Sequence, residues 1–269
     1  MTDRPVVFIT GASQGIGAET AREFARRGFD TLLLARNKKN LDAVADSVRE
    51  IGTGALVCDG DLADLDFAEQ AVKRCVEKFG RVDVLVNNAA WRELDTMRNI
   101  SLESWERTLR ISLTAPAFLA RWCAPHMEAL GKGVIINISS IQSTRVSGFG
   151  AAYMVAKGGL DTLTRELAVL YGPRGIRTVG LNPGVIDTEM NGDYESSSGE
   201  SITETSRRFS EDMVPLGRWG RADEIARCIA MFATDDASYI NGASILVDGG
   251  WCHNISPYSL KRMMHPDEY

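Results

Sequence analysis

Positive charge is in deficit in this chain: 30 lysines and arginines face 36 aspartates and glutamates, leaving a net charge of −6 at pH 7. A surface for nucleic acid or anionic lipid needs a concentrated basic patch, and the one short cluster, Arg36-Asn-Lys-Lys39, is too small to make one. Long apolar runs are absent as well, none approaching the roughly 18 residues of a membrane-spanning helix. The three histidines, His126, His253 and His265, form no metal-like cluster, so no metal site is expected. The five cysteines, Cys58, Cys75, Cys123, Cys228 and Cys252, are odd in number, scattered and without C-x-x-C spacing. They read as small buried hydrophobes rather than as metal or redox groups. The opening Met-Thr-Asp-Arg-Pro enters a strand at once, with no charged segment leading into an apolar one of the export type. A reducing cytoplasm is the expected setting, with neither nucleic acid nor membrane as partner.

What is present is the composition of a globular protein, 44% hydrophobic and 25% charged, over a length that buries a substantial core. Short runs rich in Val, Ile and Leu recur at 6–10, 31–35, 55–58, 82–86, 134–138, 177–181 and 244–247. They are apolar throughout rather than alternating, as strands covered on both faces are. Between them lie helix-length segments with apolar residues every three to four positions, at 18–27, 41–51, 67–79, 102–130, 151–170 and 222–233. The alternation predicts an α/β fold: a doubly wound, seven-stranded parallel sheet with helices on both faces, in a single domain over 1–269. Two regions break it. Residues 187–220, rich in Ser, Glu, Gly and Asn, are too long for a simple connection and are assigned as a substrate lid. Within them Ser201-Ile-Thr-Glu204 has the spacing of a capping box and predicts a short helix to about Met213. The tail 251–269, with Pro257 and Pro266, either frays or docks.

The loop Thr10-Gly-Ala-Ser-Gln-Gly-Ile-Gly17 joins the first strand to the first helix. Gly11 permits the tight turn, Gly15 lets the backbone approach a diphosphate and Gly17 lets the helix pack closely on the sheet. The helix N-terminus then offers free amides and a positive dipole end to the phosphates. Further on, Tyr153 and Lys157 lie four apart in the 151–170 helix, so both project from one face with a rise of roughly 6 Å between their Cα atoms. Lowering a phenol from a pKa of about 10 to about 7 needs roughly 4 kcal/mol. One cation at about 4 Å supplies that much at an effective dielectric of about 20. The pair suits a general acid/base poised near neutrality, with a nearby serine hydroxyl to hold the reacting oxygen.

The pattern T-G-x-x-x-G-I-G, the Asn87-Asn-Ala-Ala90 run, Ser140 thirteen residues before Tyr153, Y-x-x-x-K, and Asn182-Pro-Gly184 follow one another in this order. In them the chain resembles the short-chain dehydrogenase/reductase family over roughly residues 5–250. The resemblance implies that Tyr153 exchanges a proton with the substrate oxygen and that Ser140, picked over Ser139 by the family interval, hydrogen-bonds that oxygen. Lys157 would lower the phenol pKa and hold the nicotinamide ribose. The cofactor would meet Gly11, Ser13, Gln14, Gly15, Ile16 and Gly17 at its diphosphate and Asp61 and Leu62 at its adenine. Asn87, Ala89 and Ala90 would line it after the fourth strand, and Pro183, Gly184, Val185, Ile186 and Thr188 at the nicotinamide. Ala90 stands where the family usually has glycine. Where the family has an asparagine seven residues after a tryptophan, this chain has Ser112 after Trp105; serine keeps the backbone carbonyl that anchors a proton-relay water and adds a hydroxyl.

An acid ending the second strand would accept from a ribose 2′-hydroxyl and repel a 2′-phosphate. This chain has Ala35 and then Arg36. A guanidinium holds a 2′-phosphate through paired charge-assisted bonds, so NADP is preferred, with NAD the alternative. Gln14 stands where some NADP-using relatives carry a basic residue. Trp91, Gln142, Arg145, Phe149, Met190 and Trp219 fall beside the catalytic residues and are assigned to a small-molecule substrate. Arg145 either pairs with a carboxylate, bonds sugar hydroxyls or is simply solvated. The function implied is an NADP(H)-dependent oxidoreductase interconverting a small polar alcohol and its ketone or aldehyde. A 3-oxoacyl thioester reductase and a non-catalytic nucleotide-binding regulator are the alternatives. By the same resemblance, the 102–130 and 151–170 helices pair copies into a homotetramer or homodimer, with the tail reaching a neighbour's pocket.

Overall fold

The computed structural model describes residues 3–192, 194 and 198–269. Among them, seven strands form one parallel sheet: β1 Val6–Thr10, β2 Asp30–Ala35, β3 Ala55–Asp59, β4 Val84–Asn87, β5 Gly133–Ile138, β6 Ile176–Pro183 and, after the lid, β9 Ser244–Val247. The two-residue strands β7 Ile186–Asp187 and β8 Gly220–Arg221 pair separately at the two ends of the 187–220 excursion. The sheet order is β3-β2-β1-β4-β5-β6-β9, so the winding reverses between β1 and β4. That switch point opens a crevice at the carboxyl ends of the strands.

The apolar runs form strands because both sheet faces are covered. Along β1 successive residues alternate between two cores. Val7 and Ile9 pack with Phe24, Leu41 and Ile229 from helices α1 Gly15–Arg26, α2 Lys38–Ile51 and α8 Ala222–Phe232. Val6 and Phe8 pack with Val72, Leu119 and Met127 from α3 Leu65–Phe79 and α5 Ala115–Ala129. Asn37 and Asp64 cap α2 and α3 by accepting backbone N–H bonds, and Gly52 and Gly80 end these helices with φ of 102° and 83°. No helix among the described residues is long and apolar enough to cross a membrane.

Two expectations give way. The 102–130 helix is interrupted: α4 Leu102–Leu109 passes into a wider π turn over Arg110–Thr114 before α5 begins. Pro116 supplies the physical reason, since it has no N–H to give the Ser112 carbonyl four residues back. The capping box at Ser201–Glu204 does not form. Helix α7 Thr203–Met213 starts one residue later, behind Ile202, with no side-chain cap. The Thr203 hydroxyl instead donates to the Gly192 carbonyl at 3.0 Å, which ties the start of α7 to the strand side of the lid.

A buried polar cluster fixes α6 Ala151–Tyr171 against β5 and β6. Asn182 Nδ2 donates to Asp161 Oδ2, the Ser140 carbonyl and Ser143 Oγ. Asn137 Nδ2 donates to Thr164 Oγ1 at 2.9 Å, and Asn137 Oδ1 accepts from Asn87 Nδ2 at 2.9 Å. Replacing Asn182 with Ala takes one donor from the buried Asp161 carboxylate, leaving it the Ser244 hydroxyl at 3.3 Å, so the free energy of unfolding should fall by about 2 kcal/mol. Urea denaturation at fixed protein concentration checks this; a midpoint shift equivalent to under about 0.5 kcal/mol would show the cluster to be dispensable.

Candidate active site

The crevice at the switch point is a cavity of about 1120 Å³. Gly11, Ser13, Gln14, Gly15 and Ile16 line one wall, beside Ala89, Ala90, Pro183, Gly184, Val185, Ile186 and Thr188. Helix α1 opens here with no side-chain cap and no acid in its first turn, so its first N–H groups face the cavity. Gly17 lies behind the wall, where a Cβ would come within 2.1 Å of the Gly11 carbonyl oxygen. A Cβ on Gly11, which has φ of 67°, would fall 2.9 Å from the Ala89 Cα. This uncapped backbone cradle, with Thr188 and Glu189 packed beside Gly15, fits the diphosphate of a dinucleotide.

Asn87 does not reach the cavity. It is buried against Asn137, and its neighbour Asn88 lines the wall instead. Asn88 Nδ2 donates to the Thr10 and Gly11 carbonyls at 3.0 and 3.2 Å, while Thr10 Oγ1 accepts the Asn88 and Ala89 N–H groups at 3.0 Å each. The alternation of side chains in β4 puts Asn87 on the far side and frees Asn88 to brace the glycine loop.

Arg36, Asp61 and Leu62 gather at the adenosine end of the cavity, and Trp91 joins them there rather than at the substrate end. Two guanidiniums lie over its ring, Arg36 at 4.8 Å and Arg107 at 4.7 Å from the centroid. Arg107 in turn donates to Asp61 at 2.6 Å. Burial opposes the charge on Asp61, but the Ala63 N–H and Arg107 outweigh it and hold the carboxyl below its usual range. The indole follows its backbone, which is pinned on this side: the Trp91 N–H donates to Ser112 Oγ at 3.1 Å, and that hydroxyl donates back to the Trp91 carbonyl at 3.4 Å. Ser112 itself is fully buried and does not line the cavity.

Ser140, Tyr153 and Lys157 line the cavity together, each under a tenth exposed. Ser140 Oγ accepts from the Gln142 N–H at 3.1 Å, and Lys157 Nζ donates to the Ile138 carbonyl at 2.6 Å while lying 5.4 Å from the Tyr153 ring centre. Ser139 is engaged elsewhere, its hydroxyl donating to the Lys157 carbonyl. The expected depression of the phenol pKa by Lys157 is not what the geometry gives. Burial pushes Tyr153 above the ordinary phenol value, opposed by the Arg92 guanidinium and a hydrogen bond from Ser140. Burial also lowers Lys157 to about 8, against the pull of Asp161. The interior penalises both charges, and this desolvation offsets the attraction expected from the spacing.

At the substrate end stand Gln142, Phe149 and Met190. Arg145 lines the same region, but its Nη1 donates to the Trp251 carbonyl at 2.6 Å and to that of Asn254. Trp219 is not brought to the cavity. It is buried under α7, where its Nε1 donates to Ser210 Oγ at 2.7 Å. The tail docks on its own chain: Trp251 lines the cavity, and helix α9 Tyr258–Met264 holds Asp212 of α7 through Ser259 and Arg262. Arg92, Tyr194 and Phe209 line the cavity without having been singled out in the sequence; Arg92 follows the Asn-Asn-Ala-Ala run by only two residues, the one signal available. Among the described residues no group of His, Cys, Asp and Glu is placed to hold a metal.

Lys157 gives a signed pH prediction. With a folded pKa of about 8 against 10.5 for the free side chain, the native state has already lost this proton when the unfolded state still holds it, so the lysine's contribution to stability improves as pH rises through that interval. The stability advantage of Lys157→Met over wild type should therefore shrink by about 2 kcal/mol between pH about 8 and about 9.5, read by paired urea curves. A pH-independent difference would overturn the assignment.

A family model described as enoyl-(acyl carrier protein) reductase matches residues 11–252. The chain is 35% identical over 247 residues to a cis-4-hydroxycyclohexanecarboxylate dehydrogenase of Sinomonas cyclohexanicum, a match covering 91% of this chain and 96% of that one. A short-chain dehydrogenase/reductase variant of Serratia marcescens superposes with a TM-score of 0.84 at 33% identity, over 92% of this chain and 98% of that one. The L-sorbose reductase of Gluconobacter frateurii, solved with NADPH and L-sorbose, superposes with a TM-score of 0.87 at 28% identity, over 92% and 96%. With its glycine loop, its Ser140, Tyr153 and Lys157 and its sheet order all in this register, the chain belongs to the short-chain dehydrogenase/reductase family and is an oxidoreductase acting on CH–OH groups.

Proposed function

We propose that this chain interconverts a small polar alcohol and its ketone or aldehyde with NADP(H), Tyr153 serving as general acid/base. The observation that carries the reading is that Ser140, Tyr153 and Lys157 open onto the same cavity as the uncapped start of α1. When bound, the dinucleotide supplies or removes the hydride. The chain's own groups position the substrate and handle the proton. The Ser140 oxygen accepts from the Gln142 N–H, and its single proton, shared with Tyr153, turns to the substrate oxygen when substrate is bound. Tyr153, held protonated by burial, gives its proton to that oxygen during reduction, and the phenolate takes it back during oxidation. Lys157, anchored on the Ile138 carbonyl, keeps further N–H groups for the cleft.

Support for NADP comes from the adenosine end, where β2 ends in Ala35 and the next residue is the guanidinium of Arg36. Its place on the Trp91 face presents it beside Asn37, Gly60 and Asp61. The NADPH in the related L-sorbose reductase points the same way. The polar cyclic and sugar substrates named for the related dehydrogenase and reductase support a small polar alcohol.

Tyr153→Phe should lower kcat by roughly 10²- to 10⁴-fold, with NADPH affinity by fluorescence titration held within about threefold. Retained turnover would remove the tyrosine role. Arg36→Ala should raise KM for NADPH roughly tenfold, the loss of a paired phosphate contact, and KM for NADH much less; equal effects would remove the NADP preference. Because burial raises the phenol, kcat/KM for alcohol oxidation should climb through the alkaline range while that for carbonyl reduction falls, read as opposed pH profiles.

A further inference from the structure

Arg92 has no part in the chemistry described so far, yet its guanidinium carbon lies 5.9 Å from the Tyr153 ring centre and 5.9 Å from that of Tyr194 on the lid. It therefore stands at the reacting end of the cavity. Its hydrogen bonds run from Nη2 alone, to the Met190 carbonyl at 2.7 Å and to Asn191 Oδ1 at 3.3 Å. Both acceptors are uncharged. Among the described residues no carboxylate pairs with it: Asp61 is taken by Arg107 and Asp187 by Arg207. Glu189, the acid that does line the cavity beyond the adenosine end, sits against the glycine loop, its Oε2 3.5 Å from where a Cβ on Gly15 would be.

The substrate end thus holds three cationic side chains in a chain of net charge −6. Lys157 bonds the Ile138 carbonyl, and Arg145 bonds the Trp251 and Asn254 carbonyls through Nη1 only. Arg92 keeps its Nε and Nη1 donors without an acceptor among the described residues, and it is the guanidinium that lies over the Tyr153 ring. A guanidinium presents such donors as a planar fork, matched to the two oxygens of a carboxylate. A cation left part-buried without a counter-ion is costly, and the cost is returned when an anion arrives.

We propose that Arg92 anchors a carboxylate of the substrate, so that the enzyme acts on hydroxy acids and the matching oxo acids in preference to neutral alcohols. The proposal rests on the alcohol–carbonyl reading above. Because Arg92 already holds Met190 and Asn191, a carboxylate on its free edge is gripped beside the Glu189–Asn191 turn. No bond to the carboxylate changes in the reaction; the anchor fixes which face and which carbon meet Tyr153.

The rival role is a plain latch, with Arg92 serving only to hold 190–191 in place. Calorimetric titration separates the two, using cyclopentanecarboxylate and cyclopentanecarboxamide as probes that differ only in the anionic group, on protein alone and with NADP⁺. Wild type should bind the carboxylate at least tenfold more tightly than the amide. Arg92→Gln should erase that ratio and Arg92→Lys should keep part of it, because lysine supplies charge without the fork. Circular dichroism checks that both variants fold. Equal binding of acid and amide by wild type overturns the proposal, as does an acid preference unchanged in Arg92→Gln. A loss of affinity for both probes alike shows a latch and likewise overturns it. Because these titrations need no turnover, a Tyr153→Phe protein that still turns over would sink the catalytic reading while leaving the anchor standing.

Discussion

A buried ammonium organises this molecule. Lys157 is 2% exposed, and its Nζ reaches the last carbonyl of β5 at 2.6 Å. Moving its pKa from 10.5 to about 8 corresponds to roughly 3 kcal/mol of disfavour for the charged form. A lysine is tolerated there only if the surrounding backbone is held where it can accept, and the neighbouring structure does this. Ser139 donates to the Lys157 carbonyl, Asn182 bridges Asp161 to the Ser140 carbonyl, and Asn137 links Thr164 to Asn87. Helix α6 is thereby locked to β5 and β6 by polar groups from which water is excluded, which fixes the direction of Tyr153 as a by-product.

The opposite wall is built on a different economy. There the functional surface is backbone, and side chains act by staying away from it or by holding it from behind. Gly17 has no space for a Cβ against the Gly11 carbonyl, and Asn88 and Thr10 bond the loop to the end of β4. The two walls meet along β4 and β5, whose paired register runs from Val84 beside Val134 to Asn87 beside Asn137. Whatever shifts Asn137 is therefore felt on both sides of the cleft, through Thr164 in α6 and through Asn87 next to Asn88.

Sheet, helix alternation and strand bounds within a few residues were legible because each strand is an apolar run closed by a turn, and burial on both faces leaves no ambiguity of period. The cradle glycines were legible because their spacing serves a backbone need. What failed did so where tertiary contacts overrule local pattern. The Ser201–Glu204 spacing is a local signal, and Thr203 found a better partner in the Gly192 carbonyl. The break at Arg110–Thr114 was written in Pro116, but the apolar period runs through it undisturbed. Trp91 and Trp219 were expected beside or opposite the catalytic residues. The pinning of the Trp91 backbone by Ser112 and the bond from Trp219 to Ser210 send both indoles elsewhere. Arg92 escaped notice because a single arginine after a motif carries no pattern until the lid folds over it.

The same burial that makes Lys157 expensive decides how Tyr153 behaves. An argument from spacing alone gives the phenol a full positive charge a few ångströms away, and so a depressed pKa. In the folded chain the medium that would strengthen that attraction also desolvates both partners: the phenol moves up and the ammonium down. Desolvation is the larger influence on both groups, opposed at the phenol by Arg92 and Ser140 and at the ammonium by Asp161. The cation that does favour the phenolate is Arg92, which belongs to the cleft and reaches the lid. Any anion that settles on Arg92 weakens its hold on the phenolate, so that filling the cleft tilts Tyr153 further toward the protonated form that a carbonyl oxygen needs.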